Sequence, residues 1–314
     1  MKKIFGLCCT FVGTVIGAGF ATGREISLYF GNCSIVSVFA AGFFLGFFCY
    51  VFMRLGAINS DIFGAFGKCS KPVKIFVYAS NIAVYCATLA GSETVFYNLF
   101  SIHGGSAISG LAVLAINVVG SKSVKILNMI GVPVIAILAA LVFFRADSVP
   151  LYGKTSFVLP LCYASMNLVT GGFFLGKLSY GATKKECAAC SAMSGAILTA
   201  LLFFVYCCVK GCNGEMPFIE KAASVNLAVA GNVILYISML TTLAGTLGIF
   251  TIGNKYSGIY ITAFGLLVSC FGFQRLVDNV YPVIGAVGGA IVISATVILC
   301  FRTKFSRYYN RLSR

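Results

Sequence analysis

Phe11-Val-Gly-Thr-Val-Ile-Gly-Ala-Gly-Phe-Ala-Thr-Gly-Arg-Glu-Ile26 places glycines at 13, 17, 19 and 23 inside one apolar run. Each glycine costs a helix interior about 1 kcal/mol relative to alanine, because the chain without a Cβ has more freedom to lose. Four glycines so close together favour unwinding around Gly17 to Gly19. The same spacing, Gly13 to Gly17 and Gly19 to Gly23, also suits the close approach of a neighbouring helix, and on this stretch alone the two readings weigh the same. A dinucleotide loop is excluded: the spacing is not GxGxxG and no strand precedes it.

The solvent around this run is set by the rest of the 314-residue chain, which is 59% hydrophobic and 10% charged, with a mean hydropathy of +0.97. A soluble domain carries charge on roughly a quarter of its residues. A bilayer core of about 30 Å needs roughly 20 apolar residues per helix, so the length accommodates about ten crossings in one membrane domain, 1–314. Apolar runs bounded by charge or turn residues predict spans near 4–30, 34–54, 74–100, 105–119, 125–144, 156–177, 188–210, 227–250, 257–273 and 280–300. The runs are too long, and too poor in alternation, for the tilted strands of an outer-membrane barrel. Helices then remain as the way to satisfy the backbone in lipid.

The net charge of +15 raises the question of nucleic acid, and the placement of the 23 basic residues answers it. With the N-terminus inside, seventeen fall on cytoplasmic segments, from Lys2 and Lys3 to the tail that carries Arg302, Lys304, Arg307, Arg311 and Arg314. Arg145, Lys154, Lys210, Lys221 and Arg275 fall outside, and Arg24 falls within the first span. The positive-inside rule accounts for this bias. It puts both termini in the cytoplasm, leaves no need for a nucleic-acid partner, and suggests that the basic tail 301–314 rests on anionic lipid. Lys2 and Lys3 before an apolar stretch also resemble a signal peptide, with small residues at Ala18-Gly19-Phe20-Ala21; the run continues past that point, and its removal would misalign the charge bias.

The fourteen cysteines are scattered, mostly within spans, where a thiol behaves as a small hydrophobe. Cys187 and Cys190 form a lone CxxC with no second pair, so no metal centre or cofactor is expected. His103, the single histidine, falls in a short external loop.

A second irregular stretch shifts the balance at the first. Ala164-Ser-Met-Asn-Leu-Val-Thr-Gly-Gly-Phe-Phe174 puts Asn167, Thr170, Gly171 and Gly172 midway through the sixth span. Interrupted spans five apart cross in opposite directions, as in two five-helix repeats of inverted topology, here about 4–144 and 156–300. Broken helices expose carbonyls and amides at mid-membrane, where half-helix N-termini suit a carboxylate and C-terminal carbonyls suit a cation. In the eighth span Ser238, Thr241, Thr242 and Thr246 recur at helical spacing and would complete an oxygen cage; bonding back to their own helix is the competing reading. Ionisable residues inside spans are few and are functional candidates by default. Arg24, Glu25 and Glu93 lie at similar depth toward the outside, where they would neutralise one another, or where Arg24 would close an outer gate with Asp278.

Gly13-Thr-Val-Ile-Gly-Ala-Gly-Phe-Ala-Thr-Gly-Arg-Glu-Ile26 closely resembles the first-span signature of the YkvI family of bacterial membrane proteins, and Phe271-Gly-Phe-Gln-Arg-Leu-Val-Asp-Asn-Val-Tyr-Pro-Val-Ile-Gly285 is similar to that family as well. The family is similar to branched-chain amino acid carriers within the amino acid-polyamine-organocation superfamily. The resemblance implies a LeuT-like all-α fold in which the breaks of the first and sixth helices hold the substrate, here at Gly17, Ala18, Gly19, Phe20, Asn167, Thr170 and Gly171. It implies a sodium site formed by the carbonyls of Gly13 and Ile16 with the hydroxyls of Thr241 and Thr242. Phe20 departs from the pattern, standing where an asparagine is often found in sodium symporters. By the same resemblance Tyr85 of the third span would face the substrate, although aromatic packing is the favoured reading of its position. The expectation is therefore a secondary transporter in the cytoplasmic membrane of a bacterium, not an enzyme, coupling Na⁺ to uptake of a small amino acid or related zwitterion. A non-transporting ligand sensor on the same fold and a proton-coupled carrier are the alternatives.

Overall fold

A computed structural model describes the backbone of residues 2–59, 61–119, 121–146, 152–251 and 256–312. The side chains of 119–130, 251 and 303–312 lie outside the described residues, as do those of Lys2 and Lys3, so the lipid contact expected of the basic tail falls there too. Helices account for the expected crossings. The first span is divided into α1 (Lys2–Val15), α2 (Ala18–Thr22) and α3 (Arg24–Phe30). The second to fifth are α4 (Ile35–Ile58), α5 (Ser70–Phe100), α6 (Gly105–Val119) and α7 (Ser121–Arg145). The sixth runs from α8 (Val158–Asn167) through a π-helical segment (Leu168–Gly172) into α9 (Phe173–Leu178). The seventh is α10 (Lys184–Val209), and the surface helix α11 (Pro217–Ser224) leads to α12 (Ala228–Thr251), α13 (Tyr256–Ser269) and α14 (Phe273–Leu312). Among the described residues six helical spans are long and apolar enough to cross a membrane, with four shorter apolar helices beside them.

Packing partners recur five spans on. The first span packs on the fifth and seventh, and the sixth on the tenth and second; the third packs on the fourth and tenth, and the eighth on the ninth and fifth. The second pairs with the seventh and the third with the eighth. In α4, Val38, Ala41, Leu45 and Phe52 are fully buried while Phe39, Phe43 and Phe47 are exposed, so one helix has apolar residues on both the bundle face and the outer face, as a hydrocarbon solvent requires. Side-chain bonds within helices absorb many interior hydroxyls, as with Thr88 to the Val84 carbonyl at 2.8 Å.

Two discontinuities divide the first span. Val15 ends α1, and Gly17 enters α2 with extended backbone (φ −83°, ψ −170°), so the first break falls at Ile16 and Gly17, at the start of the expected window, while Gly19 is already helical. The second lies at Gly23, whose φ of +77° is left-handed. Only a residue without a Cβ adopts this freely, and a Cβ there would also sit 2.8 Å from Val209 Cγ1.

The sixth span is interrupted where expected, but differently from the expectation. Asn167, Leu168, Gly172 and Phe173 all keep right-handed helical dihedrals, and the backbone widens into a π-turn rather than unwinding. The Thr170 hydroxyl lies 3.2 Å from both the Met166 and Asn167 carbonyls, supplying a partner where the α-helical ladder is displaced. Segments of this kind are common at functional sites, but they offer no free half-helix terminus for a carboxylate.

Candidate functional site

The break in the first span faces two neighbours. On one side Ser238 Oγ of α12 donates to the Ile16 carbonyl at 3.3 Å, and a Cβ on Gly17 would lie 3.3 Å from Thr242 Oγ1. The Thr241 and Thr242 hydroxyls both donate to the Ser238 carbonyl, at 2.8 and 2.9 Å. Back-bonding thus uses the proton of each hydroxyl and leaves oxygen lone pairs for another ligand. Ile16, Ser238, Thr241 and Thr242 form one oxygen-rich cluster at the end of α1, while Gly13 is buried one turn earlier. The carbonyl of Ser238 is the member that sequence reasoning missed; its signal is the position three and four residues before the paired threonines.

On the other side Thr14 meets the π-turn. A Cβ on Gly171 would lie 2.6 Å from Thr14 Oγ1, so the first and sixth spans touch at their irregular points. Ala18 and Phe20 are buried, and Asn167 donates to the Tyr163 carbonyl at 3.1 Å.

Tyr85 is engaged between the third and ninth spans. Its hydroxyl pairs with Thr262 Oγ1 of α13 at 2.8 Å, and its ring belongs to a separate apolar cluster with Leu89, Val113, Leu243, Ala244 and Leu247. This contact fits the packing reading of Tyr85, whose side chain leaves α5 on the face that meets α13.

The four outer ionisable residues also separate. Arg24 and Asp278 form a bidentate pair, Nε to Oδ1 at 2.9 Å and Nη2 to Oδ2 at 2.5 Å, with side chains 11% and 30% exposed. Arg24 Nη1 also donates to the Gly214 carbonyl at 2.9 Å, and Ser27 Oγ to the Cys212 carbonyl at 2.8 Å. The pair thereby ties α3 to α14 and to the segment before α11. Beside it lies a cavity of about 420 Å³ lined by Glu215, Arg275, Asp278 and Asn279 among others.

Glu93 and Glu25 do not join this pair, which corrects the grouping expected from their depth. Glu93 accepts from the Gly104 and Ser106 amides at 2.9 and 2.8 Å and lies 3.4 Å from His103 Nδ1, so it caps the start of α6, where backbone donors lack helical partners. Glu93→Gln is expected to lower stability by about 1 kcal/mol, seen as a lower melting temperature, with uptake per folded protein unchanged. Glu25 turns inward instead: it is 5% exposed, and Oε1 would lie 1.9 Å from a Cβ on Gly19. The expected neutralisation of Arg24 by Glu25 is therefore absent, since consecutive residues on a helix point about 100° apart.

No family model matches the chain. An uncharacterized membrane protein YkvI of Bacillus subtilis is 24% identical over 336 residues, covering 91% of this chain and 93% of the relative. Among solved structures, MhsT in complex with L-phenylalanine is similar with a TM-score of 0.72 at 14% identity, over 91% of this chain and 87% of that one. Mhp1, a nucleobase-cation-symport-1 family transporter with bromovinylhydantoin bound, gives 0.58 at 11% identity over 94% and 74%. A manganese transporter of Eremococcus coleocola gives 0.59 at 13% identity over 94% and 77%. The chain is a multi-pass helical membrane protein, similar along nearly its whole length to YkvI and built on the LeuT-like fold that these transporters share.

Proposed function

We propose that this protein is a secondary transporter of the bacterial cytoplasmic membrane, with both termini inside, that couples Na⁺ to uptake of a small amino acid or related zwitterion by alternating access between two inverted five-helix repeats. The observation that carries the reading is the unwound backbone at Ile16 and Gly17 set against the Ser238, Thr241 and Thr242 oxygens of α12. A dehydrated Na⁺ needs several oxygen ligands, and carbonyls freed by a helix break together with hydroxyls provide them without a buried charge. Gly13 and Ile16 would supply carbonyls, and Thr241 and Thr242 hydroxyls. The substrate would sit beside Gly17, Ala18, Gly19 and Phe20, facing Asn167, Thr170 and Gly171. MhsT, the neighbour with the highest of the three TM-scores, was crystallised with an amino acid, which supports that substrate class.

The test is accumulation of labelled protein amino acids in proteoliposomes. Uptake should appear with an inward Na⁺ gradient and vanish when choline replaces Na⁺. Thr242→Val, which keeps the shape and removes the oxygen, should raise the Na⁺ concentration for half-maximal uptake about tenfold, corresponding to one ligand contact worth about 1.4 kcal/mol. Saturable amino acid binding without uptake would reject transport in favour of a sensor.

A further inference from the structure

Glu25 serves neither the Arg24 pair nor the oxygen cluster, although it is among the most buried ionisable side chains in the bundle. Its Oε1 bends back over Gly19 of α2, and Oε2 is buried without a hydrogen-bond partner. The groups around it come from three helices: Tyr29 of α3 itself, Tyr163 of α8 and Tyr281 of α14 lie within electrostatic range of the carboxyl. Cys162 of α8 lies within electrostatic range of Tyr29. The Tyr29 hydroxyl is committed to the Tyr281 carbonyl at 2.8 Å. The Tyr163 hydroxyl and Ser165 Oγ, both on α8, are buried without a hydrogen bond of normal geometry. From α10 and α11 this stretch of the first span meets apolar side chains, Val209 and Phe218 at Gly23. Among the described residues no cation is paired with Glu25: Arg24 is held by Asp278 and the Gly214 carbonyl, and the other ion pair is His103 with Glu93.

A buried carboxylate with no counter-ion is among the costliest arrangements a membrane interior can hold. Some cation must therefore neutralise it. The carboxyl is itself packed tightly against the backbone: a Cβ on Gly19 would lie 1.9 Å from Oε1 and 2.4 Å from Cδ. A proton is the cation that such a site admits.

We infer that Glu25 is a proton-binding site. The carboxylate takes up a proton from water on the outer side while Arg24 and Asp278 are apart, holds it as the neutral acid in the closed state seen here, and returns to carboxylate when the inner side opens and the proton leaves. Arg24 and Glu25 thus divide two tasks, the first sealing the outer face and the second carrying charge through it. The crossing of the proton rests on the transport reading given above; its residence on Glu25 does not.

Infrared difference spectroscopy on the purified protein in lipid tests the residence directly. At neutral pH the wild type should show a protonated carboxyl C=O stretch that disappears at alkaline pH and is lost in Glu25→Gln. Glu25→Asp should keep the band at a shifted frequency, which secures the assignment if the glutamine variant does not fold. A wild type without the band, or a band that survives in Glu25→Gln, overturns the proposal. In proteoliposomes with a pH-sensitive dye inside, uptake of the protein amino acid mixture should acidify the lumen, and Glu25→Gln should lose the acidification. Uptake by the wild type without acidification overturns the crossing. The band without any uptake upholds the residence and rejects the transport reading instead.

Discussion

Gly56→Ala is expected to be the most destabilising single methyl group that can be added to this protein. A Cβ at Gly56 of α4 would lie 1.8 Å from the Gly176 carbonyl oxygen of α9 and 2.7 Å from its Cα. The obstacle is backbone, so no rotamer change relieves it, and α4 is also packed against α8 and α10. Overpacking of a tight interior costs about 1–3 kcal/mol, and a backbone clash belongs at the upper end. The expected result is a melting temperature lower by about 5–10 °C in a thermal denaturation assay on detergent-solubilised protein. The same substitution at Gly131 of α7 meets nothing within 4 Å; there the gain in helix propensity, about 1 kcal/mol, should leave stability equal or higher. Equal melting temperatures for the two variants would show that α4 and α9 are not in the contact described.

Arg24→Ala is expected to have the largest effect on transport. The guanidinium bridges α3, α14 and the segment before α11, so its removal unties three elements at the outer face and leaves Asp278 unpaired. Losing one partner of a fully buried pair costs about 3–5 kcal/mol. With Asp278 30% exposed, water recovers part of this, and about 2 kcal/mol is a fair expectation. At 1.4 kcal/mol per factor of ten, the outward-closed state would lose about 30-fold in population relative to open ones. Uptake should fall by at least about tenfold, with membrane insertion intact, and amide hydrogen exchange in residues 24–30 should quicken. Arg24→Lys keeps the charge but loses the bidentate fork, so it should fall between the two. Unchanged uptake in Arg24→Ala would remove the gate from the mechanism.

These expectations differ in how much of them the sequence could supply. The crossings were legible, because hydrocarbon leaves a chain little choice but apolar helices of sufficient length. The break in the first span was legible because its cause is local, glycine density between Gly13 and Gly23, and the structure moves it only to Ile16 and Gly17. The pairing of Arg24 with Asp278, 254 positions apart, was readable from the cost of isolated charge in a membrane. The form of the sixth-span interruption was not, since Thr170, Gly171 and Gly172 are compatible with unwound backbone and with a π-turn alike.

The tertiary structure decided which way each side chain faces. Tyr85 turned to α13, Glu93 to the start of α6, and Glu25 away from its neighbour Arg24 back over Gly19. In a soluble helix the polar stripe announces that rotation. Here the bundle face and the lipid face are both apolar, as Phe43 exposed and Leu45 buried on one helix show, so the sequence carries depth along the helix axis while only the packing of neighbouring helices fixes the angle about it.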